Sequence, residues 1–297
     1  MNAVVVQHPN STSFRALPRI ATEVRRLQAD ALWITLNEDG ATGLQNFTPD
    51  LVREFHGLVD DLQCGRFGVA PLHYAVVQSA HPEYFSMGGD LRFFRDCIQR
   101  RDAVRLRDYS LRCLDLLLSW NGKLKDTSTS IALVQGRALG GGFEMALSTD
   151  YLIAEEHSSF GFPEIMFGLF PCTGAMGLLS ARIGARQAER MMTNKKIYSA
   201  VELYDMGLVD EICASGEGEL AVERFVANHS SRLKARLKVQ QSRHRHAPLD
   251  QAEGVRIVED WVETAMRLSA EELRTMDMLI MMQAREAAPP ARPAAFA

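Results

Sequence analysis

The pattern of apolar residues predicts alternating strands and helices over the first two thirds of the chain. Runs rich in β-branched and aromatic residues at 31–38 and 73–79 predict two strands. Between them, Thr48 and Pro49 form a typical helix start, and apolar residues follow at helical spacing: Leu51, Phe55, Leu58 and Leu62. This order of strand, helix and strand indicates an α/β fold.

The same alternation continues along the chain. Residues 102–120 carry apolar side chains on one helical face and predict a long amphipathic helix. Residues 130–136 predict a buried strand, a helix is expected to start at the glycines 140–142, and residues 150–156 predict another strand. These units have no fixed sequence period, so they favour a layered α/β architecture over a solenoid of identical repeats.

Strand signals almost vanish after residue 198. The segments that follow have helical spacing, and the last residues are rich in Pro and Ala. We therefore predict a core domain at 1–198, a helical region at 199–285 and a disordered tail at 286–297.

Composition narrows the class of protein. A chain of 297 residues that is 46% hydrophobic and 24% charged is typical of a globular protein with a large core. Its net charge of -4 gives no general attraction to nucleic acid or to an anionic membrane. The chain shows neither a signal peptide nor an apolar run of about 18 residues, so we expect a cytoplasmic protein without membrane insertion.

The cysteines and histidines do not indicate a metal site. The five cysteines are widely spaced and form no CxxC pair, which favours reduced thiols. His244 and His246 lie close together without a neighbouring Cys, Asp or Glu ligand, so an exposed surface is the more common interpretation. We predict no metal.

Three successive glycines, Gly140 to Gly142, come shortly before Glu144. Such a run indicates a turn or a place where the backbone comes very close to another group. The spacing is not GxGxxG, no GK[ST] follows, and Glu144 would repel a phosphate at the helix start, so a nucleotide site is disfavoured. The alternative is a backbone N–H that stabilises an oxyanion beside a carboxylate that carries protons.

Two further features would complete such a site. Gly88 and Gly89 follow the predicted strand at 73–79 and offer a second backbone donor. Glu164 follows a proline within an apolar stretch, where partial desolvation would raise its pKa into the range for acid/base catalysis. Taken singly, a Gly-Gly pair is most often a turn and a Glu is most often solvated. The occurrence of both carboxylates in apolar settings favours the catalytic interpretation.

Several stretches resemble the crotonase, or enoyl-CoA hydratase/isomerase, superfamily: "IALVQGRALGGGFEMALSTDYLIAEE", "FGFPEIMFGLFP", "FSMGGDL" and "YSAVELYDMGLVDEI". The resemblance implies an α/β fold, namely a crotonase-like spiral of ββα units with a C-terminal α-helical trimerisation region. It also implies a homotrimer or a dimer of trimers, no cofactor, and an oxyanion hole for a thioester. Matched by motif, the oxyanion donors are the N–H groups of Gly89 and Gly141, and Glu144 and Glu164 match the two acid/base glutamates of the hydratase branch.

Within that superfamily the chain is most similar to the diffusible-signal-factor synthases, which make cis-2-unsaturated fatty acids for bacterial quorum sensing. The features are the glycine motif, "LFP" after Glu164, and "WVETAMRLSAEELRTMD" near the C-terminus. The resemblance implies dehydration of a 3-hydroxyacyl thioester on acyl carrier protein, followed by thioester hydrolysis. One departure is Pro171-Cys172, where the family usually has Pro-Gly at a position associated with the water. This departure puts in question the efficiency of the enzyme or the ratio of its products.

Two other functions stay open at this point. A conventional enoyl-CoA hydratase or isomerase of fatty-acid metabolism would use the same residues on acyl-CoA thioesters. The other is a non-catalytic protein that keeps the fold and binds a sensor kinase. Such a protein has no evident need for two carboxylates beside an oxyanion hole, which argues against binding as the sole role.

The acyl chain needs an apolar pocket, and candidates for its lining lie next to the motifs: Met87, Gly88, Leu139, Gly140, Met166, Phe170, Cys172 and Met176. Trp261 is added at the pocket mouth on the resemblance alone. The stretch 232–246 carries six Lys or Arg and no acid. It is either a solvated helix face or a docking surface for an acidic carrier protein or for the phosphates of CoA.

Overall fold

The computed structural model describes residues 11–67, 72–123 and 127–286. Its strands are β1 (Ser11–Ala16), β2 (Ile20–Arg26), β3 (Asp30–Leu36), β4 (Tyr74–Ser79), β5 (Tyr84–Ser86), β6 (Thr129–Val134), β7 (Arg137–Leu139), β8 (Tyr151–Glu155), β9 (Ser159–Gly161), β10 (Tyr198–Ser199) and β11 (Glu211–Cys213). Its helices are α1 (Pro49–Gln63), α2 (Leu91–Gln99), α3 (Ala103–Lys123), α4 (Gly141–Leu147), α5 (Ala175–Ile183), α6 (Ala185–Thr193), α7 (Ala200–Asp205), α8 (Gly218–Ser230), α9 (Leu233–His246), α10 (Gln251–Ala265) and α11 (Ala270–Glu286), with a 3-10 helix at Pro163–Phe167.

The strands form two sheets. The larger sheet has the order β1-β2-β3-β4-β6-β8-β11, in which β1, β2 and β3 pair antiparallel and the strands from β3 to β11 pair parallel. The smaller sheet has the order β10-β9-β7-β5, with β5, β7 and β9 parallel to one another. The architecture is the expected α/β one.

Three consecutive ββα units connect the sheets. Each unit contributes one strand to the larger sheet and the next strand to the smaller sheet: β4 with β5, β6 with β7, and β8 with β9. The units are completed by α2, by α4 and by the 3-10 helix. Because β5, β7 and β9 run parallel, their carboxyl ends meet at the same edge of the smaller sheet.

Most predicted elements are confirmed. The predicted strands correspond to β3, β4, β6 and β8, and the predicted amphipathic helix corresponds to α3. Thr48 caps α1 as expected, because its hydroxyl accepts the N–H of Leu51 at 3.2 Å. Strand β2 was not predicted, because Glu23 and Arg25 make it look polar although they are buried as an ion pair.

The C-terminal region differs from the sequence-based division. Strand β11 pairs parallel with β8, so the larger sheet continues beyond the predicted boundary at residue 198. A strand of three residues is too short to show a strand pattern. Helix α10 packs on α3, and α11 packs on α2 and on the 3-10 helix, so these helices cover the edge where the three units end. Apart from Glu286, which ends α11, the predicted tail lies outside the described residues.

Candidate active site

The glycine motifs and Glu164 follow the second strands of the three units. Gly88 and Gly89 come after β5, Gly140 and Gly141 come after β7, and Glu164 comes after β9. Since these strand ends lie side by side, the fold brings together groups from three separate stretches of sequence.

Two of these glycines are required by the close approach of the backbone segments. Gly140 has φ +50°, and a Cβ there would lie 2.2 Å from Glu164 Oε1. Gly88 has φ +93°, and a Cβ there would lie 2.7 Å from Leu139 O. Residues with a side chain rarely adopt such φ values. Any other residue at either position would therefore have a strained backbone, and its Cβ would clash with the neighbouring segment.

The N–H groups of Gly89 and Gly141 open onto one space. Gly140 N–H donates to Gly161 O at 2.9 Å, whereas in the described chain no protein acceptor is found for the N–H groups of Gly89 or Gly141. A Cβ on Gly141 would lie 3.6 Å from Gly89 N. Two unpaired donors that converge in this way can hold an oxyanion.

Glu144 lies in α4 and is buried beside these donors, with 2% of its surface exposed. Its Oε1 accepts the N–H groups of Thr173 at 2.8 Å and Ala175 at 3.0 Å, and its Oε2 accepts the hydroxyl of Thr173. Burial raises the pKa of Glu144, and the hydrogen bonds from Thr173 and Ala175 oppose that rise.

Glu164 has a different environment. The 3-10 helix places it where two cavities meet: an inner cavity lined by residues of α3 and α4, and an outer cavity lined by residues of α11. Its buried Oε2 has no hydrogen-bond partner among the described residues. Burial, together with the nearby charge of Glu144, raises the pKa of Glu164 to about 8. Glu164 is therefore mostly protonated at neutral pH; it can give up a proton in that form and accept one in its charged form.

Two thiols face the carboxylates. Cys172 and Cys113 line the inner of the two cavities, and neither forms a disulfide. Burial raises the pKa of Cys113 to about 12, and burial with the charge of Glu144 raises the pKa of Cys172 well above its usual value. Both side chains are therefore neutral thiols near pH 7 and poor nucleophiles.

The inner cavity is a mostly apolar space of about 600 Å³ below the glycine amides. Its described lining includes no Lys or Arg and consists of Phe47, Gly89, Phe94, Tyr109, Ser110, Cys113, Leu116, Leu117, Gly141, Glu144, Met145, Glu164, Phe170, Cys172, Thr173 and Trp261. The outer cavity, of about 800 Å³, is closed on one side by Leu279, Met282 and Gln283 of α11. Gly89, Phe94, Glu164 and Trp261 line both cavities and so mark their junction.

The predicted acyl-pocket residues are divided by the structure. Phe170 and Cys172 line the inner cavity, Met87 and Leu139 line the outer cavity, and Trp261 lines both. Gly88 and Gly140 approach the site through their backbone.

Two predicted methionines line neither cavity. Met166 is 46% exposed, and Met176 packs against the main core. In a 3-10 helix, residues three apart share a face. Glu164 and Phe167 therefore face the outer cavity together, and Met166 lies off that face.

The basic stretch 232–246 lies away from the site. It forms α9, whose Arg243 and His244 bond Asp150 just before β8, each at 2.7 Å. Gln240 of α9 bonds Thr129 at the start of β6. Helix α9 thus packs at the amino ends of β6 and β8, whereas the glycine amides follow the carboxyl ends of β5 and β7. Its placement does not support docking of a carrier at the cavity mouth.

Sequence reasoning missed several residues of the site. Tyr109 and Cys113 lie on the apolar face predicted for residues 102–120, and no sequence signal distinguishes a face that lines a cavity from one that packs in the core. Thr173 follows Cys172 in "PCTGAM" and was not considered, because its role depends on contact with a residue 29 positions away.

Within the described ranges, no group of three His, Cys, Asp or Glu side chains is arranged to hold a metal ion. None of the helices described is both long and apolar enough to cross a membrane.

Comparison with known proteins identifies the family and the fold. Residues 69–251 match the family described as Enoyl-CoA hydratase/isomerase. The chain is 28% identical over 206 residues to ethylmalonyl-CoA decarboxylase of Danio rerio, an alignment that covers 69% of this chain and 65% of that relative. The chain thus spans less than two thirds of that relative's length.

Solved structures show the same fold. An enoyl-CoA hydratase from Bacillus halodurans superposes with a TM-score of 0.69 at 23% identity, covering 86% of this chain and 99% of that one. DspI of Pseudomonas aeruginosa superposes with a TM-score of 0.65 at 25% identity, covering 90% of this chain and 98% of that one. With the family match extending over more than half of its length, the chain belongs to the enoyl-CoA hydratase/isomerase, or crotonase, family.

Proposed function

We propose that this protein dehydrates a 3-hydroxyacyl thioester and then hydrolyses the product, releasing a free cis-2-enoic acid of the diffusible-signal-factor class. One observation carries the proposal. Two unpaired backbone N–H groups, the buried carboxyl of Glu144 and the half-buried carboxyl of Glu164 meet where an inner and an outer cavity join. Acyl-transfer and enolate chemistry both need donors and proton carriers in this arrangement.

The junction suits a thioester. The carbonyl oxygen binds between the N–H groups of Gly89 and Gly141, the acyl chain enters the apolar inner cavity, and the thiol arm of the carrier leaves through the outer cavity. Trp261 is 2% exposed and packs edge-on against Phe94, with 5.1 Å between the ring centroids. These two rings help to keep water from the reacting atoms at the junction.

Dehydration uses both glutamates. Dehydration proceeds from the arrangement in which the proton of the pair lies on Glu144. The carboxylate of Glu164 then removes the Cα proton, and the enolate that forms is stabilised by the two glycine amides. The carboxyl of Glu144 gives its proton to the departing 3-hydroxyl, which leaves as water. Without the oxyanion donors the Cα proton is too weak an acid for a carboxylate to remove.

Hydrolysis reuses the oxyanion hole. A glutamate activates water for attack on the carbonyl of the enoyl thioester, and the tetrahedral oxyanion is held by the same two N–H groups. Cys172 is not the nucleophile, because burial and the neighbouring carboxylates keep its thiol protonated. Cys172, which replaces the glycine usual in the family, therefore forms no covalent acyl-enzyme intermediate.

The C-terminal helices support the assignment to signal-factor synthases. The stretch that the sequence shares with those enzymes contains Trp261, at the junction, and the start of α11, whose later residues close the outer cavity. Acyl carrier protein as the thioester carrier, assembly into a homotrimer or a dimer of trimers, and a sensor-kinase partner are further parts of the proposal.

A second candidate is a conventional enoyl-CoA hydratase. The ethylmalonyl-CoA decarboxylase match and the Bacillus halodurans hydratase fold favour it, since both names refer to CoA thioesters. It would add water reversibly to a trans-2-enoyl-CoA and release no free acid. The same carboxylates and glycine amides serve this reaction.

Product analysis separates the two candidates. Purified protein is incubated with a medium-chain 3-hydroxyacyl carrier protein, and in parallel with the matching CoA thioester, and the lipid products are identified by mass spectrometry and NMR. Free cis-2-enoic acid supports the proposal, and reversible formation of trans-2-enoyl-CoA alone refutes it. Glu144→Ala and Glu164→Ala should each abolish dehydration while the protein keeps its thermal unfolding midpoint within a few degrees.

A further inference from the structure

The two carboxylates of the site differ in how their oxygens are bonded. Both oxygens of Glu144 accept hydrogen bonds, from the two N–H groups and the hydroxyl supplied by Thr173 and Ala175. The Oε2 of Glu164 is buried and has no partner among the described residues. Donors favour the charged form of a carboxyl, and burial without donors favours the neutral form.

We propose that Thr173 is a positioning residue that holds Glu144 as a carboxylate and so keeps the proton shared by the pair on Glu164, which prepares the site for thioester hydrolysis. The proposal rests on the proposed function, because it concerns the order of that enzyme's two steps. In this proposal Thr173 acts through Glu144, which accepts both its N–H and its hydroxyl.

The proton count connects the two steps. Dehydration starts from the less stable arrangement of this proton, with Glu164 charged and Glu144 protonated. It ends with the Cα proton on Glu164, Glu144 charged, and a water molecule formed from the 3-hydroxyl and the proton of Glu144. This final state is the one that the bonds from Thr173 and Ala175 stabilise.

That state is competent for hydrolysis. Charged Glu144 takes a proton from water, the resulting hydroxide attacks the thioester carbonyl, and the C–S bond of the tetrahedral adduct breaks. Glu164 then gives its proton to the departing thiolate. At the end Glu144 is protonated and Glu164 is charged, which is the state that dehydration requires. The cycle needs no outside proton carrier.

The other titratable groups that face the pair do not interfere. Tyr109 and Cys113 of α3 and Cys172 of the loop before α5 line the inner cavity with both glutamates, and burial raises the pKa of all three above the neutral range. Tyr84 and Arg137 line the outer cavity with Glu164, and there Arg137 donates to the hydroxyl of Tyr84 at 2.9 Å. The proton therefore moves between the two glutamates alone.

A pair of variants at one position tests the proposal. Thr173→Val keeps the shape of the side chain and removes the hydroxyl, whereas Thr173→Ser keeps the hydroxyl. The ratio of free enoic acid to enoyl thioester is measured with a 3-hydroxyacyl carrier protein. We expect Thr173→Val to lower this ratio roughly tenfold, the effect of one charge-assisted hydrogen bond, and to change the rate of dehydration by less than threefold in either direction. Thr173→Ser should restore the ratio.

A second measurement does not depend on activity. The carboxyl carbons of the two glutamates are followed by ¹³C NMR during a pH titration, with Glu164→Gln used to assign the signals. We expect Thr173→Val to raise the pKa of Glu144, and Thr173→Ser to leave it at the wild-type value.

The outcomes are distinct. An unchanged product ratio, an equal fall of both steps, or an unchanged pKa of Glu144 in Thr173→Val overturns the role of Thr173. If the wild-type protein releases no free acid, the proposed function fails, and the carboxyl titration still decides whether Thr173 holds Glu144 charged. By linkage, a raised pKa of Glu144 in Thr173→Val lowers the unfolding midpoint at neutral pH more than at low pH, where Glu144 is protonated in both proteins. An equal loss at both pH values, absent in Thr173→Ser, would assign Thr173 to the fold and would overturn the proposal.

Discussion

A single methyl group should block the oxyanion hole without disturbing the fold. In Gly141→Ala the nearest atom to the new Cβ is Gly89 N at 3.6 Å, which is ordinary van der Waals contact. The methyl group would stand between the two amides, in the space where an oxygen must lie about 2.7–3.1 Å from each donor nitrogen. Gly141 begins α4 without a positive φ, so alanine is compatible with the backbone.

The expected magnitude follows from the number of donors affected. Removing one oxyanion donor typically costs about 10²–10³ in rate, or about 2.7–4 kcal/mol. Because the methyl group would exclude the oxygen from both amides, we expect dehydration by Gly141→Ala to fall by at least about 10³. The unfolding midpoint should stay within a few degrees of the wild-type value.

The assay is the initial rate of dehydration of a 3-hydroxyacyl thioester, measured together with thermal unfolding. The matched control is Gly57→Ala, since Gly57 lies in α1 and a Cβ there has no atom within 4 Å. It should leave the rate unchanged and stabilise the protein by up to about 1 kcal/mol. A folded Gly141→Ala variant with more than a tenth of the wild-type rate would refute the reasoning.

Three further outcomes are expected. Gly142→Ala should lower the free energy of unfolding by about 1–3 kcal/mol, because its Cβ would lie 2.7 Å from the backbone oxygen of Ser86. An unchanged midpoint in denaturant unfolding would contradict the close approach of these two segments. The wild type should lose stability relative to Glu164→Gln as pH rises from 5 to 9. The neutral form of Glu164 stabilises the fold fully below about pH 4.5, and this contribution is lost as pH rises through about 8, whereas Gln stays neutral. At about 1.4 kcal/mol per pH unit the upper bound is about 5 kcal/mol, and partial exposure of the side chain reduces the expected difference to about 2 kcal/mol; parallel pH profiles in paired thermal unfolding would contradict it. Asp150→Ala should cost about 3–5 kcal/mol in urea unfolding, because its buried carboxylate accepts hydrogen bonds from α9 and β6, whereas Asp108→Ala, which breaks an exposed pair, should cost less than about 0.5 kcal/mol.

Local patterns determined much of the secondary structure and singled out the main residues of the candidate site. The start of α1 at Thr48 and Pro49 was readable because capping and helical spacing act within a few residues. The glycine run and the acidic residues in apolar stretches were readable because these residue types are costly unless a close approach or a proton transfer requires them. Each of these signals lies within about ten residues of sequence.

Contacts between distant parts of the chain decided the rest. The hydrogen bonds from Thr173 to Glu144, the placement of Cys113 and Tyr109 in a cavity, and the cover supplied by α11 join residues far apart in sequence. Met166 was assigned to the pocket from its neighbours and is exposed, because the phase of a 3-10 helix depends on how it docks. A sequence shows which groups are available, whereas the parallel ends of β5, β7 and β9 determine which of them meet.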